Sequence, residues 1–173
     1  MKPFQDVASI GLALEQLSVK GGAFLTVSQG SQLNTMTIGW GAIGYFWNKP
    51  FFIAAVRYSR HTHSFLEKNP DFTVSIPTNS ESKKALAYCG TKSGKDVDKF
   101  KEMQLVALPG KAQSTPVIQG DFLQIECVSR WNSEVSEQNL PDDIKQRFYA
   151  SELPLERHVL YFGEIVSTYQ TKS

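Results

Sequence analysis

What most constrains this chain is a succession of short segments rich in β-branched and aromatic residues, each bounded by turn formers. "AFLTVS" (23–28) and "NTMTIGWG" (34–41) are separated by "QGSQL", with a Gly and polar residues, and read as a hairpin. "FFIAAVRYS" and "DFTVSIP" are two further strands, and "DFLQIECVSRW" and "HVLYFGEIVSTYQ" two more toward the C-terminus. Helical signals are short and fall between strands. "RHTHSFLEKNP" reads as a helix opened by a Ser or Thr cap and stopped by Pro70, and "SESKKALAYCG" as one closed by Gly90. "SGKDVDKFKEM" follows as another, and "NLPDDIKQRFYAS" starts with a Pro and two aspartates suited to a helix N-terminus. Six or so strands with short crossover helices predict a mainly β fold, a closed or nearly closed antiparallel barrel.

At 173 residues the chain has room for one domain with a sizeable core, residues 1–173. Eighteen basic and 17 acidic residues leave a net charge of +1 without a basic run, which argues against nucleic acid or a membrane surface as a partner. The opening "MKPFQDVASIGLALEQ" carries Asp6 and Glu15 and does not resemble a secretory leader, and the longest apolar run, "FFIAAV", is far too short to span a bilayer. A cytoplasmic location is the expectation. Cys89 and Cys127 form no CxxC and read as reduced, buried thiols rather than zinc ligands. Neither a GxGxxG after a strand nor a GxxxxGK[ST] occurs, so dinucleotide-fold and P-loop sites have no support.

Three stretches carry chemistry. "NTMTIGWGAIGYFWNKP" (34–50) sets Asn34, Thr35, Met36 and Thr37 beside glycines at 39, 41 and 44 and the aromatics Trp40, Tyr45, Phe46 and Trp47. Gly in a strand marks a bulge or a close approach to the backbone, so the segment is either a bulged barrel strand or a platform for a flat heterocycle with polar edges. "RYSRHTHS" (57–64) gathers Arg57, Ser59, Arg60 and Thr62 at a strand end, a set suited to an anion and to phosphate above all. The alternative is a Ser59 helix cap with solvated arginines. His61 and His63, two apart, cannot share a metal as an i, i+4 pair does, and at least one is expected at the surface. "CGTKSGKDVDKF" (89–100) offers Gly90, Thr91, Ser93, Gly94, Lys95 and, one turn on, Lys99 as a second oxyanion cradle, or a plain helix–loop–helix corner. His158 starts a late strand. Together these describe one ligand: a planar polar ring with a phosphate tail.

In that order and spacing, "NTMTIGWGAIGYFWNKP", "VRYSRHTHSFLEKNPDFTVSIP", "CGTKSGKDVDKF" and "HVLYFGEIV" resemble the flavin reductase-like FMN-binding family, flavoredoxin type, over nearly the whole chain. The resemblance implies a split β-barrel, a homodimer, and FMN held without a covalent link near the subunit interface. By position, Asn34, Thr35, Met36, Thr37 and Trp40 would line the isoalloxazine. Ser59, Arg60 and Thr62 would hold the 5′-phosphate with Ser93 and one of Lys95 or Lys99, and His158 would lie near the ring edge. The family commonly has an aromatic residue after the phosphate-binding arginine, where this chain has His61. The helical segment at 140–150 would cover the flavin or contact the second subunit. The resemblance further implies electron transfer from NAD(P)H or a redox protein to flavin, a ferric chelate or another acceptor. Such chemistry demands no general acid or base, and the sequence has no Ser/His/Asp, Cys/His or paired-carboxylate arrangement. The rival readings are a flavin carrier without turnover and a split barrel that binds haem or another planar cofactor.

Overall fold

In the computed structural model, which describes residues 7–18, 20–150 and 156–172, seven strands form one antiparallel sheet and two short ones pair separately. Helix α1 (Val7–Ser18) precedes strands β1 (Ala23–Gln29), β2 (Gln32–Ile38), β3 (Gly41–Phe46) and β4 (Lys49–Arg57). Helix α2 (His61–Leu66), β5 (Phe72–Pro77), α3 (Lys83–Thr91) and α4 (Lys99–Glu102) follow. The short β6 (Ala107–Leu108) and β7 (Val117–Ile118), the long β8 (Phe122–Glu134), α5 (Asp142–Phe148) and β9 (His158–Thr171) complete the chain. Residues 1–6, the start of the segment read as lacking a secretory leader, lie outside the described residues. No helix among those described is long and apolar enough to cross a membrane.

The sheet has seven strands in the order β2-β1-β5-β8-β9-β4-β3. Its two edges are β2 and β3, consecutive in sequence and joined only through Gly39 and Trp40. A sheet whose outermost strands are tethered this closely has to curl until its edges approach, and the product is the split barrel. Curling is helped by two register shifts in the β8–β9 ladder, between Glu126 and Cys127 and between Ser129 and Trp131, because a bulge bends and twists its strand.

The period-2 pattern then sorts the side chains. Leu25, Val27, Met36, Ile38, Phe52, Ala54, Val56, Val74, Ile76, Leu123 and Ile125 form the main core. Phe24, facing the other way on β1, joins Ala85, Leu86, Cys89, Ile118 and Phe122 in a second cluster beneath α3. Each fully buried Leu, Ile or Phe contributes about 1.5–3 kcal/mol relative to exposure, so both layers hold the barrel.

Several local expectations are corrected. The predicted strand at 34–41 stops at Ile38, where the chain turns the corner to β3, a separate strand. Gly90 does not close α3, which runs on to Thr91. The helix expected from Lys95 starts at Lys99, because the Asp98 carboxylate accepts from the amides of Phe100 and Lys101 and so supplies its cap. Helix α2 has no side-chain cap. Neither nearby histidine is exposed: His61 is half-buried, and His63 is buried with Nδ1 2.7 Å from the Tyr161 hydroxyl. The hairpins turn through Gly30–Ser31, with Gly30 at φ +59, and through Trp47–Asn48, both left-handed.

Candidate functional site

The end of β4, the start of α2, the loop between α3 and α4, and β2 meet around a cavity of about 300 Å³. Of the residues expected to hold a ligand, Asn34, Met36, Ser59, Arg60, Thr62, Ser93 and Lys99 line it, together with Arg57, His61, Gly94 and Glu156. Strand alternation explains which members of the 34–37 run reach it. Asn34 and Met36 share a face, and Thr35 and Thr37 point to the other. Thr35 is fully buried, its hydroxyl donating to the Leu25 carbonyl at 3.2 Å. Thr37 donates to the Leu86 carbonyl at 2.6 Å. Both hydroxyl protons are thus committed within the protein, and of the 34–37 run Asn34 and Met36 are the side chains that line this cavity.

The polar walls are held by neighbours. Asn34 Nδ2 donates to Thr62 Oγ1 at 2.8 Å. Gly94 comes so near that a Cβ there would lie 2.1 Å from Asn34 Oδ1 and 3.0 Å from His61 Cδ2, so only glycine brings the 91–95 loop this close to β2. Arg60 Nη1 donates to the Gly90 carbonyl at 2.8 Å. Lys99 Nζ is buried and donates to the carbonyls of Thr35 and Cys89, both at 2.9 Å. An ammonium has three donors, so one remains for a ligand. Burial, more than the nearby Arg60, lowers the Lys99 pKa, and Cys89 partly opposes this. Of the two lysines named above, Lys99 lines this cavity, and exposed Lys95 lines an adjoining groove that shares Asn34, His61, Gly94 and Lys99 with it.

Glu156 supplies the cavity's carboxylate. Its pKa is lowered first by the hydrogen bond from Arg57, then by the charge of that guanidinium and by contacts with Ser59 and Arg60, against the opposing effect of burial. Sequence reasoning missed Glu156; nothing in its local sequence marks it, since it comes to Arg57 across the β4–β9 pairing. Arg57 also lies 3.4 Å from His158 Nε2 and 3.4 Å from the Phe148 carbonyl.

Trp40 and His158, expected beside a ring, pack on each other instead of lining the cavity. Their rings stack at 4.7 Å, and Phe148 meets Trp40 edge-on at 5.0 Å. The Tyr149 hydroxyl lies 2.9 Å from His158 Nδ1. Burial, helped by Arg57, pushes His158 down to about 4, so it is neutral at physiological pH. Thus α5 covers this aromatic pair, with Arg57 joining the pair to the cavity. Tyr45, Phe46 and Trp47 stand away from it, exposed on the β3–β4 hairpin, with exposed Trp131 packed on Phe162 nearby.

Fold and cavity together define a split β-barrel with a cationic cleft at one edge strand. The flavin reductase like domain model matches residues 18–173, and the chain belongs to that family. It is similar to an uncharacterised protein of Archaeoglobus fulgidus, 29% identical over 104 residues, covering 60% of this chain and 58% of that protein. The chain thus spans less than two thirds of that relative's length. Among solved structures it is similar to flavoredoxin of Desulfovibrio vulgaris (Miyazaki F), with TM-score 0.60 and 20% identity over 86% of this chain and 69% of that one. It is also similar to an NADH:FAD oxidoreductase of Streptomyces globisporus, with TM-score 0.64 and 19% identity over 86% of this chain and 73% of that one. These likenesses agree with the split barrel derived from the strand order.

Proposed function

We propose that this chain is an FMN-dependent oxidoreductase that takes electrons from NAD(P)H or a protein donor and passes them to flavin, a ferric chelate or another acceptor. The observation that carries the reading is the convergence of Ser59, Arg60, Thr62, Ser93 and Lys99 on one cavity beside an edge strand. Cations and hydroxyls fit a phosphate monoester, and a fixed fork such as Arg60 matches its oxygens. FMN, when bound, supplies the capacity to accept a hydride and release electrons singly or in pairs. The chain's own task is to bind and orient. Asn34 and Met36 form the wall toward the ring end. Trp40, stacked on neutral His158 under α5, supplies an aromatic boundary that limits water. Lys99 and Arg60 hold the anionic tail, and no side chain has to move a proton.

A second copy of this chain is the proposed partner for the apolar patch of Tyr45, Phe46, Trp47 and Trp131, since an exposed aromatic surface of this kind is stabilised when covered. Light scattering that shows only a 19.4 kDa species at micromolar concentration would reject the dimer.

The reading is tested on the protein as purified, by its absorption spectrum and the identity of the released cofactor. An oxidised-flavin spectrum with FMN released is expected, and a haem spectrum would overturn it. Anaerobic NADH or NADPH should then bleach the flavin band, and free flavin or ferric chelate should restore it. If dithionite or a redox protein bleaches the band and neither nucleotide does, the nicotinamide donor is rejected. Failure of every donor but dithionite leaves a carrier and rejects the enzyme.

A further inference from the structure

His61 stands where the family resemblance leads to an aromatic residue, and it lines the cavity. Its ring is oriented by its own helix. Ser64 Oγ lies 2.8 Å from the His61 carbonyl and 3.4 Å from His61 Nδ1. The single hydroxyl proton goes to the carbonyl, so toward the ring the oxygen accepts and Nδ1 carries the hydrogen. Phe65 packs edge-on against the ring at 5.1 Å. In this neutral tautomer Nε2 keeps a lone pair. Its Cδ2 is the ring atom nearest a Cβ at Gly94, so the ring packs against the loop that walls the cavity, and His61 lines both the cavity and the adjoining groove.

The charged groups around this ring come from every neighbouring element. Arg57 and Arg60 precede α2, Lys92, Lys95 and Asp96 sit between α3 and α4, Lys99 starts α4, and Glu156 precedes β9. Burial first, then Lys95 and Lys99, holds the His61 pKa below its ordinary value, with Asp96 opposing. Without an anion the imidazole is therefore neutral at pH 7. A phosphate dianion among the same cations reverses the balance, because its charge favours the protonated ring.

We propose that His61 is a specificity-determining contact for the phosphate group, taking up a proton at Nε2 as a phosphate monoester enters the cavity and so strengthening selection of FMN over riboflavin at acid pH. This rests on the reading of the cavity as an FMN site. The proton comes from solvent; one N–H bond forms at Nε2 and no bond of the ligand breaks. The sign follows from linkage. The His61 pKa is raised in the complex relative to the free protein, so the added affinity is present at low pH and is lost as pH rises through the pKa of the complex.

The test titrates FMN and riboflavin into flavin-free wild-type protein, His61→Gln and His61→Phe between pH 6 and 8.5, following flavin fluorescence. The ratio of wild-type to His61→Gln affinity for FMN should fall about three- to tenfold between pH 6 and 8, within the one-proton ceiling of about tenfold per pH unit. His61→Phe should follow His61→Gln, and riboflavin should show no such trend. The second ionisation of the phosphate, near pH 6, acts on all three proteins and cancels in the ratio. Parallel FMN profiles for wild type and both variants would overturn the proposal while leaving the FMN site intact. The same slope with riboflavin would also overturn it, by showing that His61 acts without the phosphate. Failure of FMN to bind any of the three would reject the FMN reading and this inference with it.

Discussion

Gly94→Ala asks whether the cavity depends on the close approach of the α3–α4 loop to β2. The new Cβ would stand 2.1 Å from Asn34 Oδ1, 3.0 Å from Asn34 Cγ and 3.0 Å from His61 Cδ2. Optimal contact lies at about 3.5–4.0 Å, so either the amide or the loop must shift by more than an ångström. Gly94 is not in the left-handed region, so the cost is steric rather than torsional. The Asn34 amide is buried and donates to Thr62, and turning it away sacrifices that hydrogen bond. Overpacking costs about 1–3 kcal/mol. For a chain of this size that lowers Tm by about 2–12 °C, at roughly 2–4 °C per kcal/mol. FMN affinity should fall as well, because Asn34, Thr62 and Ser93 all wall the cavity. Thermal unfolding followed by circular dichroism and an FMN titration read both effects. Asn34→Ala combined with Gly94→Ala removes the obstructing amide, so the double variant should be more stable than the two single losses added together. The reasoning fails if Gly94→Ala melts and binds like wild type, or if the two losses simply add.

Arg60→Ala should weaken FMN about 10- to 150-fold, since a hydrogen bond to a charged group contributes about 1.5–3 kcal/mol, and barely change riboflavin; equal losses in fluorescence titration would show that Arg60 does not meet the phosphate. Thr37→Val should cost stability, about 1–3 kcal/mol for the Leu86 carbonyl left without its donor, and leave flavin reduction unchanged; slowed anaerobic bleaching in a fully folded variant would contradict the placement of that hydroxyl. His158 predicts a pH effect on stability. Its folded pKa of about 4 lies below the ordinary value of 6.5, so the unfolded chain binds more protons and stability falls as pH drops from 6.5 toward 4, by at most about 1.4 kcal/mol per unit. Urea unfolding at pH 7, 6 and 5 should show this slope, and His158→Phe should flatten it.

The strands were legible because their signal is local. Alternation and flanking turn formers place β1, β4, β5, β8 and β9 within a few residues of their observed bounds. Helix ends were less so: α4 starts where Asp98 caps it, and the Gly90 expected to end α3 lies within the helix, next to Thr37. At the site, the residues that converge from β4, α2 and the α3–α4 loop were readable from type and order. The division of Asn34 and Met36 from Thr35 and Thr37 follows from the two-residue period of a strand. Glu156 and the packing of Phe148 and Tyr149 on Trp40 and His158 were not readable, since they depend on pairing between β4 and β9, roughly a hundred residues apart in sequence.

How the cavity keeps its positive charge follows from what its cations bond to. Arg60 donates to the carbonyl of Gly90 and Lys99 to those of Cys89 and Thr35. Two of these acceptors lie in the last turn of α3, where helix carbonyls lack intrahelical donors and carry partial negative charge. A carbonyl satisfies the donor geometry without cancelling a full charge, so both cations are fixed in place while most of their field remains. Arg57 differs. It is paired with the Glu156 carboxylate, and its contribution to an incoming anion is largely offset. The site thus separates its cations by partner: Arg60 and Lys99 keep a field open toward the cavity, and the Arg57–Glu156 pair shapes the wall and ties it to His158 and α5. Because the ordering of Arg60 and Lys99 is met by the fold, a dianion entering the cavity would meet them without the entropic cost of immobilising two long side chains.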